Sequence, residues 1–244
     1  MTNTPITKSA STWQRLYQIA GAAALVLVVY SLVTMIIVFA IGGQPETAEE
    51  VFAVLQDSRL MGLLRLDVLT VLCVPLYYPI FLALTTALQP THRSYAALAL
   101  GLSFAGITLF LAAPSVFSWL TLSDKFAAAA DETRRVQLLA AGEAILAADT
   151  WHGTGPWVGG LLMQIAAVLM SVVMLGSRSF ARATAYTGLV THGLEVVRIP
   201  LALFFPLGSF VLLAIAGPLY LVWFPLLARD LFRLGGEASP GAAA

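Results

Sequence analysis

The sequence predicts an all-α protein, a polytopic membrane helix bundle of six transmembrane helices with an extracytoplasmic amphipathic helix between the third and the fourth. Three observations predict it. The 244 residues are 59% hydrophobic and 11% charged, where a soluble domain carries about 25% charged residues. Mean hydropathy is +0.87. Apolar runs of about 20 residues, the length that spans a bilayer, recur along the chain and are separated by short polar breaks containing Gly and Pro. One membrane domain over residues 16–230 is expected, with a cytoplasmic N-terminal segment at 1–15 and a disordered cytoplasmic tail at 231–244.

The first span is Leu16 to Ile41, too long for the apolar core of a cleaved signal, which is about 7–15 residues; Gly42-Gly43-Gln44-Pro45 ends it. Thr47-Ala48-Glu49-Glu50 then reads as a helix start with acids in its first turn. The second span is Met61 to Leu88, with Arg65 and Asp67 early in it. Pro75 and Pro79 should kink it, since proline removes a backbone donor. Gln89 to Arg93 is a polar turn in which His92 is solvated.

The third span is Ser94 to Leu120. Gly101 and Gly106 suit close helix contact, and Trp119 is placed as an interfacial anchor. In the loop 121–155, Val136, Leu139, Ala140, Leu146 and Ala147 recur at helical spacing, which predicts a surface helix over residues 133–149. Glu143 interrupts that stripe and is expected to face a protein partner. The fourth span is Pro156 to Leu175, where Gly155 and Gly159 have the spacing of a small-residue contact. The fifth is Ala183 to Phe205 and the sixth Ser209 to Ala228, which contains Pro218 and Pro225.

Six spans put both termini on one side. That side carries Lys8, Arg15, Arg93, Arg178, Arg182, Arg229 and Arg233 in short segments; the other carries Arg59, Lys125, Arg134 and Arg135 among acids in longer loops. Basic residues flanking spans favour the cytoplasm, which places both termini inside. The zero formal net charge gives no basis for nucleic-acid binding. The lone cysteine, Cys73, rules out an intrachain disulfide and reads as a buried small hydrophobe.

The candidate site is the polar interior. In the fifth span Thr184, Thr187, Thr191, Glu195 and Arg198 recur every three or four residues and share a face, with His192 on its flank. Asp67, Thr70, Cys73 and Tyr77 keep similar spacing in the second span. Ionisable groups inside a span turn toward partners or a wet cavity. Arg198 and Asp67 lie at matching depth, roughly 10 Å in at ~1.5 Å per residue, and are expected to pair. Glu195 would share Arg198 from a turn below, and Glu143 would cover Arg65 or Arg198 from above. The polar cluster is thus Arg65, Asp67, Glu143, His192, Glu195 and Arg198.

Three functions compete for it. The cluster is a small-molecule or lipid binding or transport site, as broken helices around a polar centre suggest. Alternatively its ion pairs only fix helix packing in a structural or interaction subunit. A membrane-embedded enzyme acting on a lipid-like substrate, with His192 and Glu195 as acid and base, is the third. Zinc on His152, His192 and a carboxylate is conceivable, but no ligand motif joins them and no cofactor is expected. No serine elbow, phosphate loop or dinucleotide fingerprint occurs. Ligand, partner proteins and oligomeric state are not specified by the sequence; the lipid bilayer is the one partner it names.

Several segments resemble a known family: Leu76-Tyr77-Tyr78-Pro79; Ala140-Ala141-Gly142-Glu143-Ala144-Ile145-Leu146; Gly153-Thr154-Gly155; and Trp223-Phe224-Pro225-Leu226-Leu227-Ala228-Arg229-Asp230-Leu231. Over residues 12–234 the chain resembles a family of bacterial six-helix integral membrane proteins, domain of unknown function 4386. The resemblance implies a multi-pass protein of the bacterial inner (plasma) membrane and supplies no activity.

Overall fold

The computed structural model describes residues 6–236 apart from Asp67, Pro114, Ser115, Thr150 and Trp151, with side chains from Trp13 onward. Most of the described residues are helical, and none is in a strand. Four stretches are long and apolar enough to cross a membrane: Trp13–Ile41, Val68–Ala127, Thr154–Gly176 and Pro206–Gly236. Much of their outward surface is apolar, with Val29, Leu32, Phe39, Phe210 and Ile215 all exposed. Water would not tolerate so much apolar surface, and lipid does.

The helices are α1 (Ile6–Ile36, continued by a π-helical turn Ile37–Ile41), α2 (Ala48–Asp57), α3 (Arg59–Arg65), α4 (Val68–Cys73, continued by a 3-10 turn Val74–Leu76), α5 (Tyr77–Leu111), α6 (Val116–Ala127), α7 (Glu132–Leu146), α8 (Thr154–Gly176), α9 (Arg182–Leu201) and α10 (Pro206–Gly236). They form two compact units. The first draws on Met1–Ser31, Leu76–Ala105 and Leu161–Ala244; the second on Leu32–Pro75 and Gly106–Gly160.

In the first unit α5 is not one rod. His92 has non-helical angles (φ −150°, ψ 87°), two residues after Pro90. The rings of Tyr78 and Phe104 meet edge to face at 4.8 Å, whereas a straight helix would hold them about 39 Å apart. The chain therefore reverses near His92, inside the turn expected at Gln89–Arg93. Thr91 at this reversal packs beside Gly176, the end of α8. α10 packs along α9, and its far end meets α1: Gln18 donates to the Gly235 carbonyl at 3.4 Å, and the Phe232 ring lies over Gly21. α10 runs on to Gly236, so residues 231–236 are helix and not part of a disordered tail; residues 237–244 lie outside the described residues.

The second unit is built on α2. Thr47 accepts from the Glu50 N–H, the side-chain cap that its sequence promised. Phe52 of α2 meets Trp119 edge to face at 5.8 Å and stacks on Phe126 at 4.8 Å. Trp119 is 1% exposed, so it is the centre of this core and not an interfacial anchor. α7 packs Leu138, Gly142 and Leu146 inward. The expected stripe is met in part: Leu146 is buried and Leu139 packs on this core, whereas Val136, Ala140 and Ala147 are exposed and Leu138 and Gly142 take their place. Gly142 explains the rotation, because a Cβ there would lie 2.6 Å from Ala48 Cβ, so the helices touch where the side chain is absent.

Close approach also occurs at Gly159, where an added Cβ would lie 2.6 Å from the Gly106 carbonyl oxygen, whereas Gly101 faces open space. Two expected spans are broken. The second is divided at Leu66, and the third stops at Leu111, with α6 following as a separate helix. Cys73 is half-buried rather than buried.

Candidate functional site

α9 places the polar residues of the first unit. Its buried face is Thr184, Gly188, Thr191, His192, Glu195 and Ile199, a spacing of three and four that keeps them in register. Thr187 and Thr191 turn their hydroxyls back on carbonyls of their own helix, at 2.7 Å each, so these threonines satisfy themselves. That leaves His192 and Glu195 as the groups that need partners from elsewhere.

His192 is 2% exposed. Its Nδ1 lies 2.6 Å from Oε1 of Gln164 on α8, and the Tyr220 hydroxyl of α10 donates to the same oxygen at 3.3 Å. With that oxygen accepting twice, the proton sits on Nδ1 and Nε2 carries the lone pair. Nε2 is buried and has no hydrogen-bond partner among the described residues. The Trp223 ring crosses the imidazole at 86° with 4.3 Å between centroids, and its Nε1–H is likewise buried without an acceptor. Gly188 lets the indole in, since a Cβ there would stand 2.5 Å from Trp223 Nε1. An unanswered acceptor and an unanswered donor thus share two touching rings. Each orphan buried polar group typically costs about 1–3 kcal/mol.

Glu195 and Arg198 close on each other: Oε2 accepts from Nε and from Nη2, both at 2.7 Å. Arg198 lies in the last turn of α9, where a cation complements the exposed carbonyls. Its own carbonyl accepts from Ser209 at 3.2 Å. The helix ends at Leu201 rather than Phe205, so Arg198 is nearer the helix end than the sequence suggested. Glu195 pairs with Arg198. The proposed Asp67–Arg198 pair rests on Asp67, which lies outside the described residues.

The sequence missed Asp230. It is 2% exposed, and its Oδ2 accepts from the Ala181 N–H at 2.9 Å and the Thr184 hydroxyl at 2.6 Å. Its Oδ1 accepts from Arg229 at 3.0 Å. Ala181 is the N-cap of α9 and has no side chain able to cap it. The missing cap was the available signal: a helix start without Ser, Thr, Asp or Asn must be capped from another element. Arg233 adds a bond to the Ser179 carbonyl at 2.6 Å.

Arg65 and Glu143 lie in the second unit. Arg65 Nε donates to the Gly43 carbonyl at 2.8 Å. Gly42 and Gly43 both have positive φ, 99° and 69°, a turn that glycine makes without strain. Glu143 turns its carboxylate to the protein: its Oε1 accepts from the Ala48 N–H at 2.8 Å, in the first turn of α2, and makes no ion pair with Arg65 among the described residues. Asp149, 6% exposed, holds His152 through Nδ1 at 3.0 Å and through its backbone N–H at 3.1 Å. Among the described residues no three of His, Cys, Asp and Glu gather as metal ligands. His192 and Glu195 each hold a different partner and share no bond among the described residues. No protein-family model, no curated protein and no solved structure matches the chain.

Proposed function

We propose that the chain is a six-span bacterial inner-membrane protein with both termini cytoplasmic. Its first unit would bind a small molecule or lipid through a hydroxyl-like group. The orphan pair on His192 and Trp223 carries the second part. A hydroxyl both donates and accepts, so one such group answers the imidazole lone pair and the indole N–H together. The surrounding helices are apolar enough to hold the remainder of an amphiphile. The Glu195–Arg198 pair, closed on itself, is assigned to packing.

The topology is supported by contacts within the first unit. The start of α1 meets the end of α10, and Ser179 and Ala181 meet Arg233 and Asp230. These are the segments that carry the basic flanks. Counting α5 as two arms and adding α9 gives six crossings; α9 falls short of span-like hydropathy because its threonines, His192, Glu195 and Arg198 replace apolar residues. The loops assigned to the other side supply α2 and α7. The same topology is what the resemblance to the six-helix family implies. A membrane-impermeant thiol reagent on intact cells checks it: labelling is expected at Gln56→Cys and not at Thr4→Cys, and the reverse pattern inverts the orientation.

Native mass spectrometry of gently purified protein tests the binding. A retained hydroxyl-bearing species is expected in the wild type and should be lost in His192→Phe and Trp223→Phe, with melting temperatures close to wild type. Retention of the same species by both variants, or no retained species in the wild type, overturns the proposal.

A further inference from the structure

The second unit holds a pocket of about 410 Å³ lined by Gly42, Gln44, Glu46, Glu50, Ala53, Val54 and Arg65. Its size falls within the range of small-ligand sites, about 300–1,000 Å³. Both charge signs line it, yet neither Glu46 nor Glu50 lies within ion-pair distance of Arg65. Arg65 is oriented by the bond from its Nε to the Gly43 carbonyl, and its terminal nitrogens have no partner among the described residues. Glu50 Oε2 is held by the Glu46 N–H at 2.9 Å, while the Glu46 carboxylate has no partner among them. A guanidinium and a carboxylate that share one space without closing on each other fit a ligand carrying both opposite charges. The guanidinium fork suits an oxyanion and the carboxylates suit a primary ammonium that donates hydrogen bonds.

Exposed apolar side chains lie close to the lining residues in sequence. Ile41, next to Gly42 in the chain, is 39% exposed; Phe39 is 48% exposed; and Leu60, on the helix that carries Arg65, is 69% exposed. A headgroup seated on Arg65 and Glu46 would have apolar surface beside it for its chains. We propose that this pocket binds a zwitterion with a phosphate and a primary ammonium, the chemistry of an ethanolamine phospholipid headgroup or of free phosphoethanolamine. This site is independent of the His192 site in the first unit.

The test uses the full chain in nanodiscs and measures retained lipid by native mass spectrometry. Three lipids of matched chains are compared: phosphatidylethanolamine, phosphatidylcholine and phosphatidylglycerol. Phosphatidylethanolamine is expected to be retained most, because choline cannot donate hydrogen bonds and glycerol carries no cation. Arg65→Gln and Glu46→Gln should each weaken that retention by about tenfold, the loss of one charge-assisted contact. Glu46→Gln keeps side-chain volume and every bond described for Glu46, so it remains informative if Arg65→Gln folds poorly. Displacement by free O-phosphoethanolamine assigns the site to the headgroup alone; failure to displace assigns it to the intact lipid. Equal retention of the three lipids, a preference for phosphatidylglycerol, or undiminished preference in Glu46→Gln overturns the proposal.

Discussion

The two units treat charge in opposite ways. In the first, Asp230, Glu195 and Arg198 are buried or nearly so, and each is met by groups from the chain itself. In the second, Asp149 is buried and met by His152, but the other charges described stay at the surface. The Arg59–Asp124 pair has side chains 66% and 60% exposed, Glu143 caps α2 from an exposed position, and Arg65 and Glu46 face an open pocket. The contrast teaches that burial, not the mere presence of a charge, sets the demand for a partner. A buried carboxylate left alone is severely penalised, whereas an exposed one can wait for solvent or ligand. Composition alone does not separate these cases, since both units mix acids with long apolar runs.

Thermal unfolding in detergent can break or sharpen this contrast. Asp230→Ala should have the largest effect, about 3 kcal/mol, because it strips the cap of α9 and leaves the Ala181 N–H and the buried Thr184 hydroxyl unanswered. Glu195→Gln should cost about 2 kcal/mol, less because Arg198 is 19% exposed and solvent reaches it. The double change Glu195→Gln with Arg198→Gln should recover part of that loss, and strictly additive losses would mean the pair is not coupled. Glu143→Ala should have the smallest effect, about 1 kcal/mol, the ordinary value of one helix-capping bond. If Glu143→Ala destabilises as much as Asp230→Ala, the distinction between the two units fails.

Much of the fold is local information, and that part was legible. The end of the first helix at Gly42-Gly43, the Thr47 start of α2, the polar face of α9 and the inward turn of Glu143 each follow from a few neighbouring residues. The candidate site was legible in part: His192, Glu195 and Arg198 lie on one helix, as their spacing said. What was missed depends on distant partners. Asp230 looked like a loop acid after a span, and only the uncapped Ala181 far upstream explains it. Trp119 carries the same residue identity whether it anchors in headgroups or fills a core; Phe52 decides. Val136 and Leu138 are equally apolar, and the missing side chain of Gly142 selects which edge of α7 packs inward. Gln164 and Trp223 became part of the site only when α8 and α10 were packed on α9.

The cap on α9 also sets an order of events. Asp230 is 49 residues downstream of the Ala181 N–H that it accepts from, and Gly235, 217 residues after Gln18, receives the bond that ties α10 to α1. A chain emerging from the ribosome has neither contact until α10 has been made. The start of α9 therefore waits, unfinished, for 49 further residues, and the flank of the first helix for 217. Any nascent or truncated chain that stops before residue 230 lacks both closures, so neither the start of α9 nor the flank of the first helix is finished without α10.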